Sequence, residues 1–213
     1  MKNSILLSIT TSNIEWDAKP KIDFKMQIET ITKETNFPSG VLQSFFADNP
    51  EQTVSFCGNS EILSDEKIGF LCSRKSSGAA ILKVFERANL WRKERTTIIS
   101  GFHSPLEREV LEILLKGKGR IIIAPARSLE TMRLPQDWLT ALTKNRLLII
   151  SPFAYTPRIS RVTATKRNQF VVQIADQIVF GYISDGGKVE KLRRESASMN
   201  KPFEILDCGL TEK

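Results

Sequence analysis

The chain has 213 residues, of which 41% are hydrophobic and 26% are charged, as is usual for a globular domain. No apolar run approaches the ~20 residues that a membrane-spanning helix needs, so a membrane partner is not expected. The net charge of +7 favours an anionic partner. Three widely spaced cysteines and one histidine argue against a zinc site or a disulfide framework, and neither a metal nor a cofactor is expected.

The first residues, MKNSILLSITTSNIEWD, contain too short an apolar stretch for a signal peptide, and we expect a cytoplasmic protein. Residues 1–51 are mixed in charge and are interrupted by Pro38 and Pro50. We interpret them as an N-terminal extension with one or two short helices. Residues 52–213 are interpreted as the main domain.

Short apolar runs recur through the main domain, and each ends in small or turn-forming residues. They are KIGFLCSRK (67–75), TTIISGFH (96–103), RIIIAPAR (120–127), RLLIISPF (146–153), DQIVFGYISDGG (176–187) and PFEILDCG (202–209). Continuous apolar runs are typical of strands that are buried on both faces, as in a parallel sheet.

Segments with helical periodicity lie between these runs, at residues 78–93, 104–117, 168–176 and 187–199. The alternation of strand and helix is typical of βαβ units. The sequence therefore predicts an α/β fold of the doubly wound type, with a mainly parallel sheet and helices on both faces.

The segment TTIISGFHSPLERE, residues 96–109, joins a strand to a helix through Gly101. Ser104 is a good N-cap, Pro105 suits the first helical position, and Glu107 completes a capping box. A helix start at the carboxyl edge of a sheet directs backbone N–H groups and the positive end of its dipole at a ligand. We predict a backbone anion site formed by Ser100, Gly101 and the helix start at Ser104.

Basic and small residues recur at the predicted strand ends, which converge at one edge of a parallel sheet. The basic stretch RISRVTATKRN (158–168) contains no acidic residue. Small residues there would let a phosphate approach the backbone. The candidate DNA- or phosphate-binding residues are Ser73, Arg74, Lys75, Ser100, Gly101, His103, Arg127, Arg158, Lys166, Arg167, Asn168, Gly186, Gly187 and Lys188.

No catalytic residue is assigned. His103 is the only histidine, and Ser100 and Ser104 are more simply explained as turn and cap residues. Cys72 lies near Arg74, but a buried structural cysteine is the preferred interpretation. The chain contains no phosphate-loop motif and no dinucleotide-binding glycine motif.

Three segments, in this order and spacing, resemble the DNA-processing protein A (DprA) family. CGNSEILSDEKIGFLCSRKSS is similar to the entry to the family's main domain, where a G-N motif precedes a strand that ends in G-S-R. IISGFHSPLERE shares the S-G of a second family motif. TATKRNQFVVQIADQIVFGYISDGG is similar to a third, which reads R-R-N-R-I-I-x-x-L-S-D, and Lys166, Arg167, Asn168 and Asp176 match or nearly match it. The departures from the family pattern are Cys72 in place of glycine, the divergent residues 103–107, and Gln169 in place of arginine.

The resemblance implies a Rossmann-like fold, binding of single-stranded DNA, loading of the RecA recombinase during DNA uptake or recombination, and a homodimer. The alternative is a nucleotide-binding sensor or a phosphoribohydrolase of the same superfamily. The second of these carries a G-G-x-G-T-x-x-E loop. DGGKVEKL has Gly186, Gly187 and Glu190, but Lys188 and Val189 stand in the region of the loop's later glycine and threonine. Enzymatic activity is the less favoured interpretation.

Aromatic side chains near the basic strand ends are candidates for stacking on bases. Phe102 and Tyr155 fall in predicted loops and are the preferred candidates, with Phe153 nearby. Phe170 is expected to pack in the core.

Overall fold

A computed structural model describes residues 26–34 and 40–208. Its strands are β1 Glu29–Ile31, β2 Val54–Gly58, β3 Lys67–Leu71, β4 Thr97–Ser100, β5 Ile121–Ile123, β6 Leu147–Ser151, β7 Gln177–Phe180 and β8 Phe203–Ile205. Its α-helices are α1 Gln43–Asp48, α2 Gly78–Glu94, α3 Pro105–Leu115, α4 Gln136–Thr143, α5 Arg161–Ile174 and α6 Lys188–Ser198. Within these ranges, no helix combines the length and hydropathy that crossing a membrane requires.

The strands form one sheet in the order β1-β2-β6-β5-β4-β3-β7-β8. All pairings among β3 to β8 are parallel, and β2 pairs antiparallel with both β1 and β6. The predicted α/β fold with a mainly parallel sheet is therefore confirmed. Each predicted apolar run contains one of the strands β3 to β8.

Neighbouring residues of the same strand are buried on opposite faces of the sheet. In β4, Ile98 packs with Val84 and Trp91 of α2, whereas Ile99 packs with Phe170 of α5. One face is covered by α2, α3 and α4, and the other by α1, α5 and α6. Burial on both faces explains why the strands are continuous apolar runs rather than alternating ones.

Several elements differ from the sequence prediction. The antiparallel strand β2 and the short helix α4 were not predicted. Helix α5 begins at Arg161 rather than at residue 168, so most of the basic stretch is helical. In the part of residues 1–51 that the structure describes, β1 pairs with β2, and α1 buries Phe45 and Phe46 in the core. The division of the chain at residue 52 stays a prediction about folding units.

The direction of the chain reverses at β3, which pairs with β4 on one side and β7 on the other. The loop after β3 leads to α2 on one face, and the loop after β7 leads to α6 on the other. Such a reversal opens a crevice at the carboxyl edge of a parallel sheet. A ligand is therefore expected to bind along this edge.

Candidate nucleic-acid interface

The start of α3 is already occupied by an anion of the chain itself, the Glu107 carboxylate. Its two oxygens accept hydrogen bonds from the backbone N–H groups of Cys72 at 3.0 Å, His103 at 2.8 Å and Ser104 at 3.0 Å. The predicted capping box of Ser104 and Glu107 is confirmed. The buried Glu107 carboxylate therefore occupies N–H groups at the helix start where the sequence predicts an external anion.

The start of α6 is arranged in the same way. Gly186, which has a φ of 62°, donates its N–H to the buried Glu190 carboxylate at 2.8 Å. Glu190 also accepts a hydrogen bond from Arg194 one turn later. The N–H of Gly186, one of the predicted phosphate-binding residues, is therefore engaged within the protein.

Gly101 makes room for a buried guanidinium group. A Cβ added at Gly101 would lie 1.4 Å from Nη1 of Arg167, and Arg167 is only 3% exposed. Arg167 donates from Nη1 to the Ala124 carbonyl at 3.1 Å and from Nε to Oδ1 of Asn168 at 2.6 Å. Burial lowers the pKa of Arg167, and the nearby Glu107 carboxylate opposes this effect.

Two of the predicted phosphate-binding residues are buried. Arg167 lies beneath the surface and Ser100 is fully buried, so the structure places both away from the exposed residues of the predicted site. Gly101 belongs to the S-G segment and Arg167 to the R-N segment of the resemblance, and the two residues lie against each other in the structure. The contact ties the ends of β4 and β5 to α5.

An exposed cluster of positive charge lies above Arg167. Burial lowers the pKa of His103, and the charge of Arg167 lowers it further. Glu107 opposes the shift, and Arg108 and Arg74 act in the same direction as Arg167. Cys72 and His103 both donate their N–H groups to Glu107, which brings the loop after β3 beside the start of α3. Arg74 follows Cys72 in that loop and Arg108 follows Glu107 in α3, and His103, Arg74 and Arg108 are all exposed. We call Arg74, Lys75, His103 and Arg108 the basic edge.

Arg108 was not among the residues predicted from the sequence. The signal that could have found it is its position one turn after the N-cap Ser104, which directs it to the same end of α3 as His103. The residues predicted from the sequence lie instead at strand ends and in the basic stretch 158–168.

A second basic surface lies at the start of α5. Arg158, Arg161 and Lys166 are exposed there, and we call these three residues the α5 rim. Tyr155 is 93% exposed beside it and is available for stacking on a base. Phe102 is 5% exposed and packs in the core with Leu106, so the preference for Phe102 as a stacking residue is wrong. Phe153 and Phe170 are also buried.

The other predicted residues have mixed surroundings. Oγ of Ser73 accepts from the Ser184 N–H at 3.1 Å and joins the loops after β3 and β7. Arg127 is half-buried, and its Nη2 donates to Oγ1 of Thr131 at 2.6 Å.

The two remaining predicted residues lie at the start of α6. Gly187 packs closely against the loop before it, because an added Cβ would lie 2.8 Å from the Ser184 carbonyl oxygen. Lys188 is exposed, with its Nζ 3.4 Å from Oγ1 of Thr165.

Cys72 does not have the surroundings of a reactive thiol. Burial raises its pKa to about 11, so the thiol is protonated at neutral pH. Its Sγ lies 3.5 Å from Oγ of Ser76. The thiol packs in the core with Phe70, which fits a structural role.

A groove of about 640 Å³ opens beside the α5 rim. Its walls come from residues 45–53, residues 152–156, α5 and the end of α6. Because β2 runs antiparallel to β6, the start of β2 adjoins the end of β6, with Ser55 paired to Ser151. The groove therefore lies at the same sheet edge as the ends of the parallel strands.

Comparison with known proteins identifies relatives of this fold. DNA processing protein A from Helicobacter pylori, solved for its single-stranded DNA binding mode, matches with a TM-score of 0.65 and 17% identity, over 84% of this chain and 80% of that chain. DNA processing protein A from Streptococcus pneumoniae matches with a TM-score of 0.69 and 12% identity, over 84% of this chain and 62% of that chain. At such identities the likeness shows the shared fold. Among curated proteins, none matches this chain.

The family model of DNA recombination-mediator protein A matches residues 29–184, which include β1 to β7, the first two segments that carry the resemblance and most of the third. The match begins in the edge strand β1 and ends in the loop after β7. The chain therefore belongs to the DNA recombination-mediator protein A family.

Proposed function

We propose that this protein binds single-stranded DNA through the basic edge and the α5 rim, as a mediator of DNA recombination. The observation that carries the proposal is the clustering of exposed Arg74, His103 and Arg108 where the loop after β3 meets the start of α3 through Glu107. Exposed guanidinium and ammonium groups bind phosphates and supply most of the affinity of sequence-independent DNA binding. Tyr155 adds an exposed aromatic ring, on which bases stack.

Family membership supports the same proposal, since the Helicobacter pylori protein binds single-stranded DNA. On the same basis we propose that the protein loads the RecA recombinase and acts as a homodimer in the cytoplasm. The phosphoribohydrolase alternative gains no support from Glu190, because that carboxylate is buried and bonded to Gly186 and Arg194.

Replacing Arg74, Lys75 and Arg108 together by alanine is expected to weaken binding of a labelled oligo(dT) on the order of tenfold or more. Each phosphate contact on a single strand contributes about 0.7 to the slope of log affinity against log salt. The triple variant should therefore lose roughly 2 units of slope. Fluorescence anisotropy over a series of salt concentrations measures both quantities.

The matched control replaces Lys93, Lys116 and Lys118, which are exposed near the ends of α2 and α3 at the opposite edge of the sheet. This variant loses the same charge and should keep the wild-type slope. Equal losses in the two variants would show that only net charge matters and would contradict a site at the basic edge.

The pH dependence of DNA binding should identify His103. Its lowered pKa keeps the imidazole neutral at neutral pH, and a bound phosphate raises that pKa by favouring the charged form. The complex therefore takes up protons, so affinity for oligo(dT) should rise as the pH falls from about 7.5 to about 5.5. Anisotropy titrations at each pH measure this change.

His103→Ala should bind like the wild type at about pH 7.5, where the imidazole is uncharged, and should lack the gain at low pH. Lys188→Ala is the control, because it removes an exposed positive charge at another predicted phosphate-binding residue and leaves the imidazole in place. A gain at low pH that survives His103→Ala would assign the linkage to another group.

A further inference from the structure

The groove beside the α5 rim has a composition that differs from the basic surface around it. Asp48, Glu51 and Glu195 contribute three carboxylates to its lining. Among the lining residues that the structure describes, Lys166 is the one lysine or arginine. Two of the carboxylates contact side-chain amides of α5. Nε2 of Gln173 donates to Oδ2 of Asp48 at 3.1 Å, and Nε2 of Gln169 lies 3.5 Å from Oε1 of Glu195. A carboxylate accepts several hydrogen bonds, so each has capacity for a further donor.

The groove also offers apolar surface. Val162 on one wall is 64% exposed and Met199 on another is 47% exposed, and Phe153 also lines it. Its volume of about 640 Å³ falls within the ~300–1,000 Å³ of typical ligand sites. A ligand for this groove is flat or apolar, carries hydrogen-bond donors and carries no negative charge.

A nucleobase meets these requirements, whereas the phosphate that accompanies it does not. Phosphates are attracted to the α5 rim, whose Lys166 also lines the groove, and are repelled by the groove carboxylates. A strand held at the rim therefore presents its bases, rather than its backbone, to the groove.

We infer that the groove receives unstacked bases of the bound strand and favours bases that carry an exocyclic amino group. The inference rests on the proposed binding of single-stranded DNA. Cytosine and thymine provide the sharpest comparison, because cytosine presents an N4 amino donor where thymine presents an O4 acceptor. Both are pyrimidines, so the comparison does not set a purine against a pyrimidine.

The wild-type protein should bind oligo(dC) about threefold to tenfold more tightly than oligo(dT) of equal length. This is the effect of one hydrogen bond, which the cytosine amino group donates to a groove carboxylate and which thymine cannot make. Anisotropy competition at a single salt concentration and neutral pH measures the ratio. Met199→Trp and Val162→Trp each fill the groove from an exposed position on a different wall. Each should abolish the preference for oligo(dC) while keeping salt-dependent binding of oligo(dT).

Leu82→Trp is the matched control, because Leu82 is 66% exposed on α2, which covers the other face of the sheet. This variant should keep the preference. Equal affinity of the wild type for the two oligonucleotides, or a preference that survives both groove variants, would overturn the inference and leave the groove as a surface for a protein partner. Absence of salt-sensitive binding to either oligonucleotide would instead overturn the proposed function.

Discussion

Gly101→Ala is expected to destabilise the protein by about 2–4 kcal/mol, the cost of displacing a buried and hydrogen-bonded guanidinium group. The new methyl group would lie 1.4 Å from Nη1 of Arg167. A flexible arginine at the surface would move aside, but Arg167 is buried and bonded to Ala124 and Asn168. Urea unfolding followed by tryptophan fluorescence measures the change in the free energy of unfolding.

Gly78→Ala is the matched control, because a Cβ at Gly78 has no neighbour within 4 Å and Gly78 is the first residue of α2. Alanine there should be neutral or stabilising by up to about 1 kcal/mol. In the double variant Gly101→Ala/Arg167→Ala the collision disappears, so its stability should match that of Arg167→Ala alone. Additive losses in the double variant would show that the two residues do not interact.

Glu107→Ala is expected to cost about 3–5 kcal/mol, because three backbone N–H groups lose their acceptor together. Each unmade hydrogen bond of a buried group costs about 1–3 kcal/mol. Glu109→Ala on the same helix removes an exposed carboxylate and should change the free energy of unfolding by less than about 0.5 kcal/mol.

The same variant tests whether Glu107 takes the place of an external anion. Without its carboxylate, the start of α3 presents free N–H groups and the positive end of the helix dipole. Formate should therefore restore part of the stability of Glu107→Ala, whereas chloride at equal ionic strength should restore less. Equal effects of the two salts on Glu107→Ala and Glu109→Ala would show that no specific anion site is opened.

The parallel part of the sheet was predictable because burial on both faces leaves a local signal, an unbroken apolar run such as Ile121–Ile123. β1 is three residues long with two of them exposed, so its pairing with β2 leaves little local signal. Helix α4 has only eight residues, and no side chain caps its start. It therefore lacks the capping box that made the start of α3 recognisable in the sequence.

The candidate site was predicted less completely, for two physical reasons. The sequence pattern identified both a capping box and an anion site at the start of α3, although one set of N–H groups cannot serve Glu107 and a ligand together. The burial of Arg167 depends on Gly101, far away in the chain, and no local pattern distinguishes a buried arginine from its exposed neighbour Lys166.

The carboxylates at the starts of α3 and α6 have a consequence for how a bound strand moves. Because Glu107 and Glu190 engage N–H groups there, phosphates at the proposed interface are held mainly by long side chains such as Arg74 and Lys166. A flexible side chain can pass from one phosphate to the next, whereas a fixed set of amides would trap a phosphate in a single register. We therefore expect the protein to diffuse along single-stranded DNA with low barriers between neighbouring positions.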